Sequence, residues 1–137
     1  MFWKIISSAA LLITCSACAA PLPEHDPSKA WVDVQSQAGH QLSAQRVDGD
    51  KVNDARYFQV IPGAHQLQIR LTYDRGANNT GDSQRRCLVD FVYDGFQAGQ
   101  RYSVRVLAKN WTVRAWLYSS DGQRLIESKS VRCSSQY

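Results

Sequence analysis

The feature that most constrains the fold is an unbroken alternation of polar and apolar side chains between positions 66 and 73. The segment reads Gln66-Leu67-Gln68-Ile69-Arg70-Leu71-Thr72-Tyr73. Successive side chains of a β-strand point to opposite faces, so this pattern predicts a strand with one buried face and one solvated face.

The same two-residue period recurs in short segments from Ala30 onward, and no later segment keeps a helical period. The alternating segments cover 30–35, 42–44, 58–61, 87–93, 102–106, 113–118 and, more weakly, Arg124–Ser130. They are separated by turn signals: Gly39, Asp48-Gly49-Asp50, Pro62-Gly63, a polar loop Asp74–Arg86, Ala98-Gly99, Asn110 and Asp121-Gly122. About seven to eight short strands at this spacing predict an all-β, antiparallel β-sandwich or small barrel, with one short helical turn near Val52–Arg56.

The amino terminus has the layout of a secretory signal. Lys4 precedes an apolar run, Ile5 to Thr14, that ends in small residues. A membrane-spanning helix needs about 20 apolar residues. This run is shorter and is followed by Pro21 and Pro23, so we expect it to be removed on export.

The end of the signal, Ser16-Ala17-Cys18, resembles the lipobox of bacterial lipoproteins. The resemblance implies acylation of Cys18 after cleavage just before it, although Cys15 stands where that family prefers Leu. Leu12-Ile13-Thr14-Cys15 is an alternative box, and ordinary cleavage at Ala17-Cys18-Ala19 would give a soluble periplasmic product. We favour Cys18, and Ala19 lacks the aspartate of an inner-membrane retention signal. We therefore expect a lipid anchor on the periplasmic face of the outer membrane.

These patterns divide the chain into a signal peptide (1–17), a proline-containing lipidated tether (18–29) and a β-sandwich domain (30–137). The domain holds Cys87 and Cys133, which oxidising export conditions favour as a disulfide over two buried free thiols. Such a bridge closes a loop of roughly 46 residues and contributes about 4 kcal/mol in the chain-entropy model. Cys15 and Cys18 form a C-x-x-C inside the signal without a second pair, so we expect no metal or redox site there.

Composition is that of one globular domain. The 137 residues are 44% hydrophobic and 20% charged, with a net charge of +4 that falls to about +3 once Lys4 is removed. This excess is compatible with anionic lipid or lipopolysaccharide nearby, but it lacks the dense basic stripe of nucleic-acid binding proteins. We therefore expect no nucleic-acid partner.

Three segments resemble small proteobacterial lipoproteins of unknown function. They are Val47-Asp48-Gly49, Val60-Ile61-Pro62-Gly63-Ala64-His65-Gln66-Leu67 and Phe96-Gln97-Ala98-Gly99-Gln100-Arg101-Tyr102. In those proteins a V-D-G turn, a P-G-x-H-x-L strand entry and an A-G-x-x-Y strand entry recur on a PEGA-like or immunoglobulin-like β-sandwich. The resemblance covers most of Ala30–Gln123 and implies an architecture but no catalytic residues.

A search for catalytic chemistry gives no constellation. His25, His40 and His65 lack metal-ligand spacing, and neither an H-E-x-x-H nor a G-x-S-x-G motif occurs. We therefore expect a protein that is not an enzyme and that carries no cofactor and no metal.

The alternation around residues 105–118 predicts a candidate binding face. If Val113 and Leu117 point inward, the opposite face carries Arg105, Arg114, Trp116 and Tyr118. Exposed Trp, Tyr and Arg are typical of binding surfaces. The alternative is that both faces are buried or that another segment covers Trp116.

We therefore expect a non-enzymatic envelope lipoprotein that binds a protein, peptidoglycan or lipopolysaccharide. A structural subunit of an envelope assembly is the alternative, and a small hydrolase or lysozyme-inhibitor-like factor is less favoured.

Overall fold

The structure, a computed structural model, describes residues 20–75 and 84–135. The predicted signal peptide, with Cys15, and the predicted lipidation site Cys18 lie outside the described residues. In the described part the chain forms ten strands: β1 (Ala30–Asp33), β2 (His40–Val47), β3 (Asp50–Lys51), β4 (Tyr57–Val60), β5 (Gly63–Asp74), β6 (Gln84–Phe96), β7 (Arg101–Lys109), β8 (Thr112–Ser119), β9 (Arg124–Glu127) and β10 (Ser130–Ser135).

The strands form two five-stranded sheets packed as a sandwich. Sheet A has the order β4-β1-β7-β8-β9, and sheet B has the order β10-β6-β5-β2-β3. The predicted all-β sandwich is therefore confirmed. The expectation of a purely antiparallel arrangement is wrong at one place, because β1 runs parallel to β7 with Trp31 opposite Arg101. β1 also pairs antiparallel with β4, so it lies inside sheet A rather than at its edge.

The interior lies between the two sheets and is built from the alternating side chains of both. In β5, Leu67, Ile69 and Leu71 have no exposed surface. β6 adds Val89 and Phe91, which are equally buried. Sheet A supplies the facing side of the same cluster: Val32, Phe58, Val104, Val106, Ala115 and Leu117. Each large apolar side chain removed from water contributes roughly 1.5–3 kcal/mol, so this interior is the main source of stability.

The predicted disulfide between Cys87 and Cys133 is present. The two residues lie directly opposite each other on the neighbouring strands β6 and β10. The bond therefore fixes the last strand to the edge of sheet B, where it would otherwise be held by hydrogen bonds to one neighbour alone.

The predicted final strand, Arg124–Ser130, is two strands in different sheets. β9 pairs with β8 in sheet A, whereas β10 pairs with β6 in sheet B. Between these strands the backbone makes one hydrogen bond to each sheet. Ser128 N donates to Ala115 O in sheet A at 2.9 Å, and Lys129 N donates to Asp90 O in sheet B at 2.8 Å. The chain therefore changes sheets within two residues.

Two other expectations are corrected. The predicted loop Asp74–Arg86 is shorter, because Asp74 ends β5 opposite Gln84, which begins β6. The segment Val52–Arg56 forms no helix and contains only a turn at Ala55 and Arg56. Instead, the Asp54 carboxylate accepts from the backbone amide of Arg56 at 3.0 Å and from its guanidinium. That guanidinium lowers the pKa of Asp54 to about 2.

A carboxylate fixes the turn between β2 and β3 to the start of β5. The Asp48 carboxylate accepts from Gln66 N at 2.8 Å and lies 2.6 Å from His65 Nδ1. His65 Nε2 lies 2.7 Å from the carbonyl oxygen of Ile61. The Gln66 amide first, and the His65 side chain second, lower the pKa of the Asp48 carboxyl below its ordinary value of 3.8.

We predict that Asp48→Asn makes the free energy of unfolding less dependent on pH in the acidic range. Because the pKa of Asp48 is lowered in the folded state, its stabilising contribution is present above the ordinary value and is lost as the pH falls through the folded value. Urea unfolding at several pH values measures this. The difference in unfolding free energy between the wild type and the variant should be present at about pH 5 and should shrink below about pH 4. A difference that is the same at every pH would contradict the assignment.

Candidate functional site

The outer face of sheet A carries a cluster of arginines and aromatic rings. Its position follows from the strand alternation: Ala115 and Leu117 belong to the interior, so Trp116 between them points outward. We call this surface the arginine–aromatic face. It consists of the buried rings of Trp31 and Trp116 and the more accessible side chains around them: Tyr57, Arg101, Arg105, Arg114, Tyr118 and Arg124.

Trp116 is on the outer face, yet only 8% of it is exposed. Two guanidinium groups cover its ring. Arg124 lies 4.4 Å from the ring centroid and Arg114 lies 5.0 Å from it. A cation over an aromatic face is attracted by the ring quadrupole, and the planar guanidinium also stacks on it. The ring is thus shielded from water by charged side chains that themselves remain solvated.

The four residues predicted for the binding face lie together on β7 and β8. Arg105 is directly opposite Trp116 in the antiparallel pair. Its guanidinium lies 4.5 Å from the Tyr118 ring centroid. Arg124 extends the group, because its Nε donates to the Tyr118 hydroxyl at 3.2 Å.

A second part of the face, around Trp31, was not predicted as a site. Trp31 stacks on Tyr57 with ring centroids 4.1 Å apart, and Arg101 lies 5.0 Å from its ring. The indole nitrogen donates to Asp33 Oδ1 at 2.7 Å. The sequence signal was present in the alternation of Trp31 and Asp33 with two valines. Its pairing with Arg101 becomes visible only once β1 is placed beside β7.

The charges on this face are unbalanced. Arg114 forms a two-point ion pair with Glu127, with distances of 2.9 and 3.2 Å, and this hydrogen bonding lowers the pKa of the Glu127 carboxyl. Arg101 lies 3.5 Å from Asp33. Within residues 20–75 and 84–135, Arg105 and Arg124 form no ion pair. The face therefore presents two uncompensated positive charges.

The guanidinium groups of this face have edges that are available for ion pairing. Stacking uses the faces of the guanidinium groups and leaves N–H groups at their edges for a carboxylate. The nearest depression, which Ser103 and Arg105 help to line, has a volume of about 230 Å³. In the described ranges, no group of three His, Cys, Asp or Glu side chains is placed to hold a metal ion.

The segment before β1 contacts the sandwich. Asp26 N donates to Gln59 Oε1 at 2.9 Å, and Gly99 N donates to Lys29 O at 2.9 Å. Further back, Arg56 donates to Ala20 O at 2.6 Å. The residues predicted as a tether therefore follow the β4 edge of sheet A from Ala20 onward.

Comparison with known proteins gives no relative for this fold or this face. Among the residues that the structure describes, no helix is both long and apolar enough to cross a bilayer. The chain matches no protein-family model, no curated protein and no solved structure.

Proposed function

We propose that this protein is a non-enzymatic lipoprotein of the outer membrane, anchored on its periplasmic side, whose arginine–aromatic face binds an acidic surface of another envelope protein. The observation that carries the binding proposal is the excess of two guanidinium groups, Arg105 and Arg124, stacked on Trp116 and Tyr118. The anchor rests on the lipobox resemblance at Cys18. The resemblance to small PEGA-like or immunoglobulin-like lipoproteins supports the envelope setting.

The composition of the face favours a protein partner. Tyr and Arg are among the residues that carry a large share of the binding energy in protein interfaces, and Tyr118, Arg105 and Arg124 are the accessible side chains here. Here the arginines are already held against aromatic rings, so fewer side-chain rotamers have to be ordered on association. The sheet surface is open rather than deeply pocketed, and its positive excess complements clustered carboxylates.

Lipidation at Cys18 would hold the domain close to the bilayer. Two residues of extended chain span at most about 7 Å, which is the reach from Cys18 to Ala20. Because Ala20 is bonded to Arg56 beside β4, the β4 edge of sheet A would lie near the lipid. The arginine–aromatic face would then point sideways, within reach of a neighbouring envelope protein.

The anchor is tested by Cys18→Ala. Three acyl chains anchor a protein stably, since each buried methylene contributes about 0.8 kcal/mol. We predict that the variant moves from the membrane fraction to the soluble periplasmic fraction and loses palmitate labelling. Cys15→Ala is the matched control and should leave both unchanged. If Cys15→Ala alone lost the palmitate label, the anchor would be assigned to Cys15. If neither the wild-type protein nor Cys15→Ala were labelled, the lipid proposal would be wrong.

The binding face is tested by photo-crosslinking in cells. A photoreactive residue at Leu107, 57% exposed beside Arg105 on the same face, should give a discrete adduct with one identified envelope protein. The matched control is Val92, 45% exposed on the outer face of sheet B, which should give none. We predict that the double variant Arg105→Gln and Arg124→Gln reduces the yield of the adduct about tenfold, because each substitution removes a charge-assisted hydrogen bond to the partner.

Mass spectrometry then decides the class of partner. The crosslinked peptide should be rich in Asp and Glu, and adduct formation should fall with added salt. A stoichiometric adduct that is insensitive to the double variant would favour a structural subunit of an assembly. Adducts with glycan strands instead of protein would point to peptidoglycan, and either result would contradict the proposed partner.

A further inference from the structure

The outer face of sheet B carries a second, separate group of arginines. Arg70 on β5 and Arg132 on β10 are both opposite Leu88 on β6, one on each side. Arg86, two residues before Leu88, lies on the same face of β6. We call these three residues the arginine triad.

Among the described residues, the carboxylate that pairs with the triad is Asp90, through Arg132. Asp90 is 4% exposed and accepts from Arg132 at 3.1 Å, Gln68 at 3.1 Å and Ser130 at 2.9 Å. These bonds occupy both oxygens of Asp90. In the part of the chain that the structure describes, the side chains of Arg70 and Arg86 form no hydrogen bond and no ion pair.

The spacing allows the three guanidinium groups to reach one ligand. Neighbouring strands lie about 4.8 Å apart, so Arg70 and Arg132 on either side of β6 are roughly 10 Å apart, and Arg86 lies about 7 Å along β6 from Leu88. Arginine side chains are long enough to close that distance around one anion. A depression of about 400 Å³ over Leu88 is lined by all three arginines and by Ser134. A second depression, about 600 Å³, shares Arg70 and Arg86 and adds the hydroxyls of Ser43 and Thr72.

We propose that the arginine triad is a binding site for a tetrahedral oxyanion, the phosphoryl group of a soluble ligand. Arg70 and Arg86 are two unpaired like charges beside Arg132, which is paired with Asp90, and an anion between them would offset their mutual repulsion. Guanidinium forks match phosphoryl oxygens in geometry, and neighbouring hydroxyls can donate to the remaining oxygens. The depression over Leu88 is large enough for a single compact anion. The site lies on the opposite sheet from the arginine–aromatic face, so it is independent of the function proposed above.

Inorganic phosphate is the probe. Titration at pH 7.5, with sodium chloride replacing phosphate at constant ionic strength, is followed by NMR of the arginine Nε–H groups. We expect saturable shifts of Arg70, Arg86 and Arg132 with a Kd on the order of 1 mM. Arg70→Gln and Arg86→Gln should each weaken binding about tenfold. Arg46→Gln is the matched control, because its guanidinium on the same sheet donates to Gly49 O, and it should bind as the wild type does.

Both triad variants should fold, since in residues 20–75 and 84–135 neither side chain has a hydrogen bond or an ion pair to lose, and thermal unfolding checks this. If chloride at the same ionic strength gave equal NMR shifts of the arginine Nε–H groups, the effect would be ionic screening and the proposed site would be wrong. Unchanged phosphate binding in both variants would do the same. Binding to vesicles of phosphatidylglycerol with no competition by inorganic phosphate would assign the triad to a membrane surface and would also overturn the proposal.

Discussion

The structure depends on burial of one set of alternating side chains from β5 and β6 against the inner face of sheet A. Leu67, Ile69 and Leu71 are fully buried, and they stay buried only in the observed strand register. A one-residue slip would turn the entire apolar set toward solvent, so the register is fixed. The same constraint decides which residues face outward. Both surfaces to which we assign binding are therefore consequences of the interior.

The two outer faces use arginine differently. On sheet A the guanidinium groups cover aromatic rings, which explains how Trp116 lies outside the interior with only 8% of its surface exposed. On sheet B, Arg70 and Arg86 have polar and aliphatic neighbours rather than rings. Stacked arginines present a broad, preordered surface that suits a protein, whereas unpaired arginines that line one depression suit a small anion. One sandwich thus offers two surfaces of distinct chemistry.

The local part of this architecture could be predicted from the sequence. The alternation at 66–73, the Asn110 turn and the Cys87–Cys133 bond depend on short-range pattern or on compartment, and each is present. The parallel pairing of β1 with β7 could not be predicted, because it depends on contacts about 70 residues apart. The change of sheet at Ser128 and Lys129 was also not predicted. It depends on backbone hydrogen bonds from these two residues to Ala115 on β8 and to Asp90 on β6, which belong to different sheets. For the same reason, the Trp31–Arg101 contact and the arginine triad could be recognised only once the strand register was known.

The central claim, that alternation fixes an interior and two outer faces, is tested most directly by NOE measurements on a methyl-labelled sample. The account predicts contacts between the methyl groups of Ile69 or Leu71 in sheet B and those of Val104 or Leu117 in sheet A. It predicts none between the Ile69 or Leu71 methyl groups and the ring protons of Trp116. Contacts from the Trp116 ring to Ile69 or Leu71 would place that ring in the interior, reverse the faces of β8 and contradict the account.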